Sequence, residues 1–333
     1  MKKILLTFLL TIPFLLHAQT EKIICINPDD TATLMLSQIA EKVTPIPLSS
    51  SVDCYYVYLT DEYLYTANFT SISQFDISGK HIKTINFKEF INGITGDISK
   101  KEIYISVGNK VTSYDYSLKE IKSYKTKDTV SSLFFYNNNL YVYSYAYNGE
   151  GEITHYYKIS TLDLVSGKES FIFENNNEFI RILKKIVANA KFSIYNDQVV
   201  FSNKIDSTLY GIKGSKVYPI IKYKVSDMDN MSHEFHPDVE QGFMGKYLLI
   251  NYGMKEEYGG IREFCYLEDT KTEKRYSKLI DDIYSTGKCN IKLNLNLNGY
   301  FYYVKKDKKD LSKVSDSLKI LDGPVIFIVK AKQ

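Results

Sequence analysis

The densest group of side chains able to do chemistry is His233-Glu234-Phe235-His236-Pro237-Asp238. His233, His236 and Asp238 carry the nitrogen and oxygen donors that a transition metal takes. Their spacing is looser than that of recognised zinc motifs, and Pro237 argues against a helix holding both imidazoles on one face. The chain has five histidines, one of them His17 near its start, too few for a histidine-rich metal centre. The group reads as a polar surface loop without a metal, with His233 and His236 as candidate ligand contacts.

A second group is Tyr252-Gly253-Met254-Lys255-Glu256-Glu257-Tyr258-Gly259-Gly260-Ile261-Arg262. Arg262 is one of three arginines, with Arg181 and Arg275. An arginine beside tyrosine suits recognition of carboxylate or sugar groups; the plain alternative is a long hairpin with a solvated charge. Asn148-Gly149-Glu150-Gly151-Glu152, between Tyr147 and His155, allows the same two readings. Its glycines are too few and wrongly placed to cradle phosphate. A GxSxG elbow is absent, so an α/β-hydrolase nucleophile has no support. No carboxylate pair can be singled out for acid–base work, and no cofactor motif is present. The candidate ligand contacts are therefore Tyr147, His155, His233, His236, Tyr258 and Arg262, with no catalytic residue assigned. Without tryptophan, any sugar stacking would fall to tyrosine.

These groups need a scaffold. An apolar, tyrosine-rich run followed by a short turn and further runs returns six times, beginning near Tyr63, Ile103, Leu140, Val199, Tyr247 and Tyr300. The 29 tyrosines and 18 phenylalanines favour pleated, half-buried surfaces. From Ile291 to Leu297 apolar residues alternate with Lys292, Asn294 and Asn296. That is the period of a strand, and Asn298-Gly299 supplies a hairpin turn before Tyr300–Val304. From Leu140 to Tyr147 neither side of the run is charged, so both faces must be covered. Asn177–Ala190 has helical spacing, Leu34–Ala40 is a shorter helix candidate, and Lys306–Ser317 reads as a polar loop.

A local motif also recurs. Phe75-Asp76-Ile77-Ser78-Gly79-Lys80 is matched by Tyr114-Asp115-Tyr116-Ser117-Leu118-Lys119. Leu162-Asp163-Leu164-Val165-Ser166-Gly167-Lys168 follows with one residue inserted, and Glu268-Asp269-Thr270-Lys271 more weakly. Aspartate and serine accept hydrogen bonds from turn amides, so each copy is expected to join the outer two strands of a sheet. Repetition at this length predicts a propeller of four-stranded blades.

The Asp-Ser-Lys copies resemble NHL-type repeats. Val43-Thr44-Pro45-Ile46-Pro47-Leu48 and Pro324-Val325-Ile326-Phe327-Ile328-Val329-Lys330 resemble the two ends of a secreted bacterial six-bladed β-propeller family whose activity is largely unassigned. The resemblance implies an all-β six-bladed propeller of four-stranded antiparallel blades over residues 43–333. The last unit offers strands near 289–297, 300–305 and 324–331. Residues 43–48 are expected to supply its fourth strand and close the ring.

With strands a to d numbered outward from the axis, a–b and c–d turns lie on one side of the disc and b–c and d–a connections on the other. The first side takes the short turns, such as Asn137–Asn139 and Ser166-Gly167. The second takes the insertions at 148–153, 175–190, 226–241, 253–260 and 306–323. Long loops on a rigid scaffold are where binding concentrates.

Residues 1–18 read as a signal peptide, with Lys2 and Lys3 ahead of an apolar Ile4–Leu16 stretch and Ala18 before the cut. A lead segment, 19–42, precedes the propeller. The apolar stretch is short for a membrane span, which needs about 20 residues, so no transmembrane segment is expected after cleavage. The net charge of +3 falls to +1 once Lys2 and Lys3 leave. A near-neutral chain has no field to attract nucleic acid. Cys25, Cys54, Cys265 and Cys289 are too scattered for a disulfide framework, and their pairing stays open. The expectation is a monomeric, exported, non-catalytic binding module of the periplasm, envelope or exterior, with a peptide, protein or glycan ligand on the long-loop face. The alternative is a metal-dependent propeller hydrolase or lyase of the lactonase kind.

Overall fold

The computed structural model describes residues 22–27, 32–148, 154–175, 191–203, 207–225, 241–255, 261–293, 297–306, 311 and 322–332. The chain opens with β1 (Lys22–Ile26), β2 (Thr33–Met35), one helical turn α1 (Leu36–Ile39) and β3 (Ala40–Pro47). Blade one follows as β4 (Tyr56–Leu59), β5 (Tyr63–Ala67), β6 (Ser71–Asp76) and β7 (His81–Asn86). Blade two is β8 (Ile91–Asp97), β9 (Glu102–Val107), β10 (Lys110–Asp115) and β11 (Glu120–Lys125). Blade three is β12 (Thr129–Tyr136), β13 (Asn139–Asn148), β14 (Thr154–Leu162) and β15 (Glu169–Asn175). Blade four is β16 (Lys191–Tyr195), β17 (Gln198–Asn203), β18 (Thr208–Lys213) and β19 (Lys216–Val225), with β1 added in parallel outside β19. Blade five is β20 (Gln241–Met244), β21 (Tyr247–Lys255), β22 (Ile261–Asp269) and β23 (Arg275–Tyr276). Blade six pairs β24 (Lys278–Asp281) with β25 (Gly287–Lys288) and takes β2 in parallel on the other edge of β24. Blade seven is β26 (Tyr300–Lys305), β27 (Val325–Ala331) and β3.

The sheets among the described residues therefore number seven, and the expected count of six is corrected. Five of the six tyrosine-rich runs are second strands, namely β5, β9, β13, β17 and β21, and the sixth, β26, has only the Lys292–Tyr302 bridge inside it. Blade six has no such run. Its own strands are four and two residues long, and its third comes from the far end of the chain. Nor are the blades uniformly four-stranded, since blade four has five strands and blades six and seven have three each.

The closure is as expected, and β3 is longer than the 43–48 read from sequence. β3 runs antiparallel to β27, with Ile46 opposite Ile326 and Val43 opposite Val329. Lys292 bridges Tyr302, giving blade seven a further contact on its inner side. The Asp turns also fall where expected, between β6 and β7, β10 and β11, β14 and β15, and β22 and β23. Asp76 Oδ1 accepts the amides of Ser78 at 2.9 Å and Lys80 at 3.0 Å. Asp115, Asp163 and Asp269 do the same for their own turns. Of the short-helix candidate 34–40, only α1 is helical. The helix expected over 177–190 and the loop over 306–317 lie almost wholly outside the described residues.

The cores lie between blades. Ile46, Leu64, Phe75 and Ile326 join blades seven and one, and Tyr58, Ile94 and Ile105 join one and two. The same pattern runs round the ring to a shared core of blades five, six and seven containing Leu249, Leu279 and Phe327. Tyrosine suits this position because its ring fills the gap and its hydroxyl needs a partner when buried. Tyr65 donates to the Tyr116 carbonyl at 2.7 Å, Tyr124 to that of Leu164 at 2.8 Å, and Tyr303 to Asp281 at 2.9 Å. Each of these bonds crosses to the neighbouring blade. No helix among the described residues is long and apolar enough to cross a membrane.

Candidate functional site

The strand order places the long connections. β13 ends at Asn148 and the antiparallel β14 begins at Thr154; β21 ends at Lys255 and β22 begins at Ile261. Both are b–c connections. The links from β15 to β16 and from β19 to β20 are d–a connections, and that from β26 to β27 is b–c in blade seven. All five long connections thus leave from one face, where the innermost strands also begin.

Of the six candidate contacts, Tyr147 and His155 pair directly across β13 and β14 at that end of blade three. Arg262 pairs with Met254 across β22 and β21 at the same end of blade five. The fold therefore puts these three on one face but on blades separated by blade four. Tyr258, His233 and His236 lie outside the described residues. No group of three or more His, Cys, Asp or Glu among the described residues is placed to hold a metal ion.

The same face carries a group that sequence reading missed. Tyr55 immediately precedes β4, Phe90 immediately precedes β8, and Phe69 sits in the b–c turn between β5 and β6. Their rings touch in a row. Tyr55 and Phe69 have centroids 4.3 Å apart, and Phe69 meets Phe90 edge-on at 5.9 Å. They are 46%, 52% and 65% exposed. Phe171, on an outer strand, is the other strongly exposed aromatic residue among those described, so the clustering is not a general feature of the surface.

Backbone bonds fix this cluster. Tyr55 donates its amide to Ala67 O at 3.0 Å, Ile91 to Phe69 O at 2.6 Å, and Phe87 to Thr70 O at 2.8 Å. Asn68 Oδ1 accepts the amides of Thr70 and Ser71, shaping the turn that presents Phe69. Beside Tyr55, Asp53 pairs with Lys306 at 2.9 Å, and this hydrogen bond raises the ammonium pKa of Lys306. Burial pushes the neighbouring Cys54 thiol up to about 12, so it is a poor nucleophile. A signal was present in the sequence: Phe69 and Phe90 stand among polar turn residues (Asn68-Phe69-Thr70, Lys88-Glu89-Phe90), where no strand period calls for an aromatic.

The innermost strands pack tightly below this mouth. Thr95 Oγ1 accepts the Phe135 amide at 2.9 Å, linking β8 to β12, and Ser193 Oγ accepts that of Phe243 at 3.1 Å, linking β16 to β20. A β-carbon on Gly242 would stand 2.7 Å from Ser193 Oγ and 3.0 Å from Leu293 Cδ1.

No family model matches the chain, and no curated protein matches it either. Among solved structures it is similar to a Bacteroides fragilis protein classed as exported, with TM-score 0.65 at 15% identity, covering 94% of this chain and all of the other. A hydrazine synthase of Kuenenia stuttgartiensis aligns with TM-score 0.46 at 11% identity over 84% of this chain and 88% of its own. BamB of Moraxella catarrhalis aligns with TM-score 0.43 at 12% identity over 73% and 68%. At these identities the first likeness shows the β-propeller fold, and the other two carry no argument.

Proposed function

We propose that the protein is an exported, monomeric, non-catalytic module that holds a peptide, protein or glycan ligand on its long-connection face. The observation that carries this reading is the exposed Tyr55–Phe69–Phe90 cluster on the same face as all five long connections. Rigid scaffolds present binding groups on such loops, and exposed aromatic clusters mark contact sites on soluble domains. Tyr147, His155 and Arg262 hold register positions at the same end of blades three and five. His233, His236 and Tyr258 belong to the proposal by sequence position. The leader-like residues 1–18 support export to the periplasm, envelope or exterior.

The test is binding of the mature protein to peptide and glycan arrays, repeated with Phe69→Ala, Phe90→Ala, Tyr258→Ala and Arg262→Ala. Loss of binding in at least one variant that keeps its native melting temperature supports the face. Binding untouched by all four moves the site elsewhere. Fractionation of cells expressing the full chain checks export, and recovery in the cytosol with residues 1–18 intact would remove that part of the proposal.

A further inference from the structure

The chemistry of the aromatic cluster narrows the ligand, on the premise that the long-connection face is the binding face. We propose that Tyr55, Phe69 and Phe90 form a docking point for a large apolar side chain, leucine, proline or aromatic, presented by a segment of another protein.

Ring geometry favours this occupant. Tyr55 and Phe69 are inclined at 34°, and Phe69 and Phe90 at 79°. Rings so tilted make clefts between them rather than the flat platform on which a sugar ring stacks. A sugar also needs polar groups converging on its hydroxyls. Here four of the nearby acceptors are already engaged: Asn68 Oδ1 by two amides, the carbonyls of Phe69 and Thr70 by Ile91 and Phe87, and that of Asn92 by the Tyr56 hydroxyl.

Charge points the same way. Asp53 and Lys306 are paired with each other, and the exposed Lys88 and Glu89 balance. Among the described residues the rim is thus balanced in charge, which complements an uncharged, apolar partner. An aromatic centre with a polar rim is also the anatomy of protein contact sites. Size argues against a second copy of this chain. Three half-exposed rings present about 300 Å², whereas a stable dimer buries about 800 Å² per partner.

The test uses the mature full-length protein and a displayed library of random 12-residue peptides. The expected result is enrichment of peptides that share a large apolar residue. Binding of an enriched peptide should weaken at least tenfold with Phe90→Ser and with Phe69→Ala, and by a similar factor when its apolar residue becomes alanine. Ile77→Ala and Val165→Ala, exposed on the opposite face, should leave it unchanged. Peptides that bind independently of Phe69 and Phe90 but need Arg262 or Tyr258 would overturn this inference while sparing the face. Absence of any enriched peptide, or glycan binding lost with Phe90→Ser, would overturn it in favour of another ligand class. Sedimentation of wild type as a dimer that Phe90→Ser dissociates would assign the cluster to self-association instead.

Discussion

Gly79 lies directly against the carbonyl of Pro47, so close that a β-carbon at Gly79 would overlap the Pro47 oxygen. Gly79 has φ +89 and donates its amide to Asp76, while its carbonyl accepts the Ser49 amide at 2.9 Å. The outer turn of blade one is thereby fastened to the end of β3, the strand that completes blade seven. One residue serves both the Asp turn and the ring closure. Only glycine meets both demands, since the conformation is left-handed and the approach leaves no room for a side chain.

Gly79→Ala is therefore expected to destabilise the protein by about 2–3 kcal/mol, combining backbone strain with displacement of Pro47. Ile77→Ala, in the same turn with its side chain exposed, is a natural control, because it leaves the Gly79 backbone and the Pro47 contact in place. Chemical denaturation of both variants measures the difference. A Gly79→Ala midpoint equal to wild type would show that the closure does not depend on this contact.

A second junction is held by charge. Lys22, on β1 at the rim of blade four, reaches Glu268 of blade five at 2.6 Å. Glu268 has a side chain only 1% exposed and also accepts the Tyr266 hydroxyl, with Arg275 Nε at 3.6 Å. Removing the lysine leaves a buried carboxylate short of a cation, which costs more than an exposed pair would. Lys22→Met is expected to lose about 1–3 kcal/mol, and Lys22→Met with Glu268→Gln to recover part of it. A double-mutant cycle on the denaturation midpoint reads this coupling. Additive effects would mean that the two residues stabilise separately.

The thiols give a third expectation. All four cysteines are free, with Cys25 exposed and Cys289 buried. Burial pushes Cys54 and Cys265 up to about 12 and raises Cys289 as well. Near pH 8 these three hold almost no thiolate, and thiolate is the reactive form. The native protein should show one fast-reacting thiol toward a disulfide reagent, removed by Cys25→Ser, and four after denaturation. Two or fewer after denaturation without reductant would indicate a disulfide.

Local chemistry alone decided a good deal here. Alternation of apolar residues, the Asp-centred turns and the paired ends of the chain determined an all-β propeller sealed by an amino-terminal strand. Each of those signals lies within a few residues or in a strand's own composition. The side from which the β13–β14 and β21–β22 connections leave was legible too, because antiparallel strands alternate direction. Tertiary structure decided the rest. Blade six exists because β2 pairs with β24 across a separation near 245 residues, a choice made by the wedge of space between blades five and seven and invisible to any local period. The placement of β1 and of Lys22 against Glu268 has the same origin. Tyr55, Phe69 and Phe90 lie in separate turns with no shared spacing, and only the radial stacking of blades one and two brings their rings into one cluster.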